Sequence, residues 1–466
     1  MNWIIVLFSL ASFAASSVSH ASTPIKQDVL IFLNSSPRTS PLPHRNNHTE
    51  VLGFLKSTTQ NDLTLFQQKI KHSQLAHLIV VHHSHWINHS IFASVTPRAL
   101  QELSAWPEVK AIYRNQTLDS PFVSFKETVS APVAYPYWFK AIGMDRVVQA
   151  YPELTGKGVL LGSVDTGVDG THRDLQGKVI RFLNGKARKE TAPVDNSGHG
   201  TATVGLMVGG SRQGPYYGVA PDAKVVAASG MDDLDTLFYS LEWMLEAHPR
   251  AVNNSWSAPT QTPGSVFYKI IEAYDAAGVF FVASAGNAGN KPHSITIPHE
   301  HPLVFSAGAI DEKGGRWSYS SQGPATYLGQ EVNKPEVMAP GDEIQVTIPY
   351  RVYGAMSGTS FAAPQVTGAT ALILQAVPEL TPAQLRKLFI TTSHQVSGTP
   401  QGDWNGQFGY GVIDVEAAIK QALNIRAKLE GTFMNFLPGF LIQSPEDTSS
   451  ELILHPDLSP YWDPET

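Results

Sequence analysis

Between residues 138 and about 423, short apolar strand-like runs alternate with runs of helical period. No other feature restricts the fold as tightly. Strands are expected at 159–164, 225–228, 251–254 and 279–284, with helices at 235–247 and 265–277. Such alternation marks an α/β domain with a mostly parallel sheet flanked by helices, because parallel strands need long crossovers that lay helices against the sheet. Thr381-Pro382-Ala383-Gln384 adds a capping box with proline at the first helical position. Hydrophobic residues make up 42% of the 466 and charged residues 16%, enough apolar material for a sizeable core.

The chain ahead of this domain has another pattern. Residues 23–120 carry strand signals at 28–33, 75–81, 92–95 and 109–113, with a helical spacing over 62–70. Thr96-Pro97 reads as N-cap and first-turn proline of a helix carrying Leu100 and Leu103. The order β-α-β-β-α-β is that of a small α+β ferredoxin-like domain. Residues 121–137 are rich in Pro and Ser and read as a linker, and 426–466 as an acidic, Pro-containing tail. Residues 1–21 read as a signal peptide: 4–15 are apolar and Ser19-His20-Ala21 supplies small residues for cleavage, though no Lys or Arg precedes them. Export to the periplasm or the exterior is therefore expected, and no later stretch is long and apolar enough to span a bilayer.

The net charge of −7 argues against a nucleic-acid partner. The sequence has no Cys, which excludes disulfides, thiolate zinc sites and a cysteine nucleophile, and leaves Ser, His and carboxylates for chemistry. Three islands offer them. Asp165 ends an apolar strand in Val164-Asp165-Thr166-Gly167, where ligands sit in parallel sheets. His199 lies in Asn196-Ser197-Gly198-His199-Gly200-Thr201, at a helix start among small neighbours. Ser360 lies in Ser357-Gly358-Thr359-Ser360-Phe361-Ala362-Ala363-Pro364, at the N-terminus of a long apolar helix whose dipole favours developing negative charge. Singly, each has a plain alternative: a strand exit, a structural His, a helix cap. In the order Asp, His, Ser they form the triad order of subtilisin rather than that of chymotrypsin or the α/β-hydrolases. Ala362 replaces the second glycine of a G-x-S-x-G elbow.

These residues resemble the subtilase family of serine proteases over about 290 residues. Ala283-Ser284-Ala285-Gly286-Asn287, Gly218-Val219-Ala220-Pro221 and Gly409-Tyr410-Gly411-Val412-Ile413-Asp414 are similar to further family motifs, and residues 93–115 resemble the family's inhibitory propeptides. The resemblance implies Ser360 as nucleophile, His199 as general base and acid, Asp165 as its orienting partner, and Asn287 with the Ser360 N–H as oxyanion hole. It implies a self-processing secreted endopeptidase acting on proteins or peptides, with the front domain as intramolecular inhibitor, cut off between Arg114 and Pro136. The same scaffold could instead carry an exopeptidase or peptide ligase, or an inactive binding protein, against which stands the presence of every catalytic residue type.

By the same resemblance Ser255, Trp256 and Ser257, with Ala285, Gly286 and Thr296, line the substrate cleft. Trp256, Ser257 and Thr296 are bulkier or more polar than the family pattern, so the pocket is expected to disfavour large aromatic side chains. No cofactor is required. Calcium rests on Asp174 alone, equally readable as a salt-bridge acid, since 211–217 supply no carboxylate or Asn. His72, His77, His82, His83, His85 and His89 read as solvated surface histidines, or as a switch that loosens the front domain on protonation near pH 6. A zinc site is disfavoured, because adjacent strand residues point to opposite faces.

Overall fold

The structure, a computed structural model, describes residues 25–34, 48–118, 125–128, 135–211, 218–259, 261–350, 352–396 and 402–435. The expected signal peptide and the tail beyond 435 lie outside the described residues.

The first element, β1 (Gln27–Leu33), is followed by α1 (His48–His72), β2 (Ile79–His85), β3 (Ser90–Val95), α2 (Pro97–Leu103) and β4 (Val109–Arg114). They make an antiparallel sheet in the order β2-β3-β1-β4. Thr96 caps α2 by accepting from Ala99 N, as its sequence predicts. Two details differ from expectation. The helix read at 62–70 begins back at His48, and a 3₁₀ turn (Ala76–Leu78) delays the second strand to Ile79. Successive side chains of a strand face opposite ways. Val29, Ile31 and Leu33 accordingly join Phe66, Ile70 and Leu103 in the front domain's own core, while Leu30 and Phe32 join the core of the larger domain. Phe32 there lies edge-on to Phe238, with ring centroids 6.2 Å apart, and to Tyr113 at 5.7 Å.

Within the stretch read as linker lies a strand, β5 (Phe125–Thr128). Then come α3 (Tyr137–Ala141), α4 (Met144–Ala150), β6 (Leu160–Asp165), β7 (Val179–Asn184), β8 (Lys189–Glu190), α5 (His199–Val208), β9 (Lys224–Ser229), α6 (Leu234–Glu246), β10 (Ala251–Asn254), α7 (Ser265–Ala276), β11 (Phe280–Ser284) and β12 (Phe305–Ile310). A hairpin, β13 (Ala325–Tyr327) and β14 (Gln330–Val332), precedes β15 (Val337–Pro340), β16 (Ile344–Ile348), β17 (Val352–Met356), α8 (Thr359–Ala376), α9 (Pro382–Thr392) and α10 (Val415–Asn435). The large sheet runs β15-β12-β11-β10-β6-β9-β7-β8. Its strands are parallel except where β8 turns back on β7. The capping box of α9 forms as read, Thr381 and Gln384 each accepting the other's backbone N–H. β16, β17 and β5 form a separate antiparallel sheet. Beyond Leu423 the chain is a separate unit, and its described residues are helical as far as Asn435, where a tail was expected.

Candidate active site

The parallel sheet gathers its chemistry at the carboxyl ends of its strands. Asp165 is the last residue of β6, His199 the first of α5, Asn287 lies just beyond β11, and Ser360 is in the first turn of α8. His199 Nδ1 lies 2.7 Å from Asp165 Oδ1, with both side chains buried. The backbone N–H of Thr166 donates to the same oxygen at 2.7 Å, and Thr203 Oγ1 lies 3.3 Å from Oδ2. An ionised carboxylate only accepts, so His199 carries its proton on Nδ1, and Nε2 is the ring's basic atom.

The Gly-rich loop explains how His199 comes so close. Asp195, absent from the sequence-based candidates, accepts from Ser197 N, Gly198 N and Thr166 Oγ1 on one oxygen and from Thr201 N and Oγ1 on the other. Thr166 Oγ1 in turn accepts from Gly200 N at 3.0 Å. A Cβ at Gly200 would lie 2.0 Å from Gly167 O, so only glycine lets α5 start this close to the end of β6. The sequence signal for Asp195 was there: an Asx residue just ahead of a helix is a standard partner for its free N–H groups.

Ser360 Oγ donates to Ser255 O at 3.3 Å, and Ser255 Oγ donates to Ser360 O at 2.9 Å. The neighbouring Phe361 ring packs on the His199 ring, with centroids 5.7 Å apart. Asn287 Oδ1 accepts from Thr359 N at 3.0 Å and Thr359 Oγ1 at 2.8 Å. That fixes the amide orientation and leaves Nδ2 as the donor beside Gly358, just ahead of Ser360. Thr359, also not among the candidates, thus holds Asn287 in place.

The cleft residues divide. Ser257 Oγ lies 2.7 Å from Thr296 Oγ1, and Thr296 N donates to Ala285 O at 3.2 Å. Gly286 has φ 106, and a Cβ there would meet Thr296 at 2.6 Å. Ser257, Ala285, Gly286 and Thr296 therefore converge, while Ser255 meets Ser360. Trp256 does not join them. It is 1% exposed and packs on Phe267 and His299, with ring centroids 5.9 and 6.0 Å away. The bulk expected at the pocket wall instead faces the core.

Asp174 is engaged as a hydrogen-bond acceptor. Tyr353 OH donates to its Oδ2 at 2.7 Å, and no group of three or more His, Cys, Asp or Glu among the described residues could hold a metal ion. Nor are all the front-domain histidines solvated. His85 is 0% exposed, with Nε2 2.8 Å from Asp235 Oδ1 and Nδ1 3.4 Å from Glu242 Oε2, both on α6. Burial pulls its pKa down, but the hydrogen bonds and charges of Asp235 and Glu242 outweigh that and raise it above the usual value. Glu242 also accepts from Ile87 N at 3.1 Å. His89 is buried too, near Asp62, and burial pushes its pKa down to about 4.

Comparison with known proteins agrees with this geometry. The subtilase family matches residues 156–411. Subtilisin DY of Bacillus licheniformis is 34% identical over 296 residues, covering 61% of this chain and 98% of that protein. Subtilisin E of Bacillus subtilis (strain 168) is 33% identical over 273 residues, 57% of this chain and 66% of that one. Serine protease AprX of the same strain is 29% identical over 373 residues, 70% and 78% respectively. An Asp–His contact and a helix-start serine at the rim of a parallel sheet, matched along the domain that holds them, have one family in common: the chain belongs to the subtilases and is a serine-type endopeptidase.

Proposed function

We propose that the chain is an exported, self-processing zymogen that hydrolyses peptide bonds through Asp165, His199 and Ser360. The 2.7 Å contact of His199 Nδ1 with buried Asp165 carries this reading. Ser360 Oγ attacks the scissile carbonyl as His199 Nε2 takes its proton, and Asp165 stabilises the imidazolium. The oxyanion receives Asn287 Nδ2–H and the Ser360 backbone N–H. As the C–N bond breaks, His199 returns the proton to the leaving amine. Water, deprotonated by His199, then splits the acyl-enzyme and regenerates Ser360. No step needs a metal or cofactor. An extended substrate lies along Ser255–Ser257, and the Ser257–Thr296 pair narrows its side-chain pocket.

The front domain is the first substrate and then the inhibitor. Leu118 N donates to Asp232 O at 3.2 Å and Leu234 N to Gln116 O at 3.1 Å, so residues 116–118 run beside the loop from β9 to α6. That loop starts at Gly230, whose N–H donates to Asp165 O. On the other side β5 pairs with β17, which runs straight into Ser357–Ser360. Residues 116–118 thus lie on the Asp165 side and β5 on the Ser360 side, and we place the processed bond between residues 118 and 125. Mass spectrometry of the exported product should find its N-terminus there. Labelling by a fluorophosphonate, abolished in Ser360→Ala, tests the mechanism; labelling that persists in that variant refutes it.

A further inference from the structure

Proline is expected to damage a helix interior, because it has no N–H and its ring crowds the carbonyl one turn back. Pro364 sits inside α8, and the carbonyl it leaves without a helical donor is that of Ser360. Ser360 is 2% exposed, so water does not readily replace the missing bond. The replacement comes from another element. Ser255 Oγ, fully buried just beyond β10, donates to Ser360 O at 2.9 Å. Its hydroxyl is itself oriented: Asn253 Nδ2, also fully buried, donates to Ser255 Oγ at 3.0 Å. Asn253, Ser255 and Ser360 thus form a directed chain from the β10 strand to the backbone of α8's first turn.

We propose that Ser255 is a positioning residue for Ser360: its hydroxyl supplies the hydrogen bond that Pro364 cannot give, and so fixes the nucleophile's backbone. This rests on Ser360 being the nucleophile, as proposed above. The proline frees the first turn of α8 from its own helix, and the serine ties it to the strand beside which substrate is bound. The nucleophile is thereby referenced to the cleft rather than to the helix behind it. The return bond, Ser360 Oγ to Ser255 O at 3.3 Å, is long enough to yield as the hydroxyl turns to a base.

The two residues therefore make a testable pair. Ser255→Ala should lower kcat per titrated active site about 10- to 100-fold, the scale of a misplacement approaching 1 Å. KM should stay within about threefold, since the Ser255 main chain that meets substrate is kept. Ser255→Thr keeps the hydroxyl and should restore kcat. Asn253→Ala, which removes the orienting donor, should give a smaller loss of about three- to tenfold. In a Pro364→Ala background the restored N–H of residue 364 serves Ser360 O, so adding Ser255→Ala should cost no more than about twofold. Rates are counted per site labelled by a fluorophosphonate, so a misfolded fraction does not register. Wild-type kcat per site in Ser255→Ala, or an equal loss with and without Pro364, overturns the inference. Ser360→Ala, measured alongside, separates the two levels. An active Ser360→Ala would sink the nucleophile reading and this one with it, whereas an inactive one beside a normal Ser255→Ala sinks only this one.

Discussion

Glu336, just ahead of β15, offers a stability test whose size can be worked from its contacts. Its carboxylate is 4% exposed and takes Lys334 Nζ at 2.7 Å and the Arg386 guanidinium on Oε1, with Ser306 N at 2.9 Å and Ser306 Oγ at 2.8 Å on Oε2. Lys334 is 0% exposed, and its other partner is Val304 O. In Glu336→Gln the new amide must point its NH2 either at two cations or at the Ser306 N–H. One donor is left facing a donor, worth about 1–3 kcal/mol. Lys334 also loses its anion, while Arg386 can turn towards solvent. Burial already pushes the Lys334 pKa down, and with Glu336 opposing that it settles at about 8. Without the anion the ammonium gives up its proton at pH 7, which limits its share to about 1–2 kcal/mol. The sum, about 2–5 kcal/mol, overlaps the range for breaking a buried pair. At about 2 °C per kcal/mol for a domain this large, melting should fall by about 4–10 °C. The sign of the pH dependence follows from the same group. A lysine whose folded pKa is depressed leaves the unfolded chain holding more protons above that pKa, so stability rises with pH there. With its pKa lowered further, the variant begins that rise below pH 8, and its deficit should shrink between pH 7 and about 9. Urea unfolding followed by tryptophan fluorescence, in a Ser360→Ala background to prevent autolysis, measures both effects. A deficit below about 1 kcal/mol at pH 7, or one that grows with pH, would refute the reasoning.

Asn287→Ala should lower kcat by about 10²–10³ with KM little changed, the range known for losing one oxyanion-hole donor, subtilisin among the measured cases; a loss confined to KM would reassign the residue to substrate binding. Ser257→Gly/Thr296→Gly should raise kcat/KM for peptides with Phe or Tyr at the scissile position by about tenfold or more relative to Ala, because the hydroxyl pair proposed above to narrow the pocket is gone. Rapid cleavage of such peptides by the unaltered enzyme would contradict this. The hold of the front domain should be tightest near neutral pH. His85 has its pKa raised when docked, so its contribution is full below the free value and lost as pH rises through the docked one. His83 and His48, lowered chiefly by burial, act oppositely and weaken docking as pH falls through the free value. His85→Gln should flatten the alkaline limb of zymogen activation against pH, and an unchanged limb would acquit His85.

What the sequence disclosed depended on how local the bonding is. Asp165, His199, Asn287 and Ser360 each sit in a short motif whose glycines and helix starts serve that one residue, so the motif is readable wherever it occurs. Of the large sheet, β6, β9, β10 and β11 were readable from their short apolar runs. β5 was not, because a four-residue strand in a Pro- and Ser-rich stretch carries no period and exists by pairing with β17, more than two hundred residues on. His85 looked like one polar residue of a half-wet strand, and the α6 carboxylates that bury it belong to the other domain. Trp256 is different, since its placement is legible in the sequence alone. In an extended segment alternate residues face opposite ways, so Ser255 and Ser257 on one face require Trp256 on the other, against the core. The same parity carries the positioning role inferred for Ser255. A hydroxyl aimed at the first turn of α8, with a proline in that helix that removes a helical donor, is legible as a pair once both segments are known to lie together. Neither segment states that by itself, and the residue inferred to hold the backbone at Ser360 is therefore found through the proline rather than through the serine.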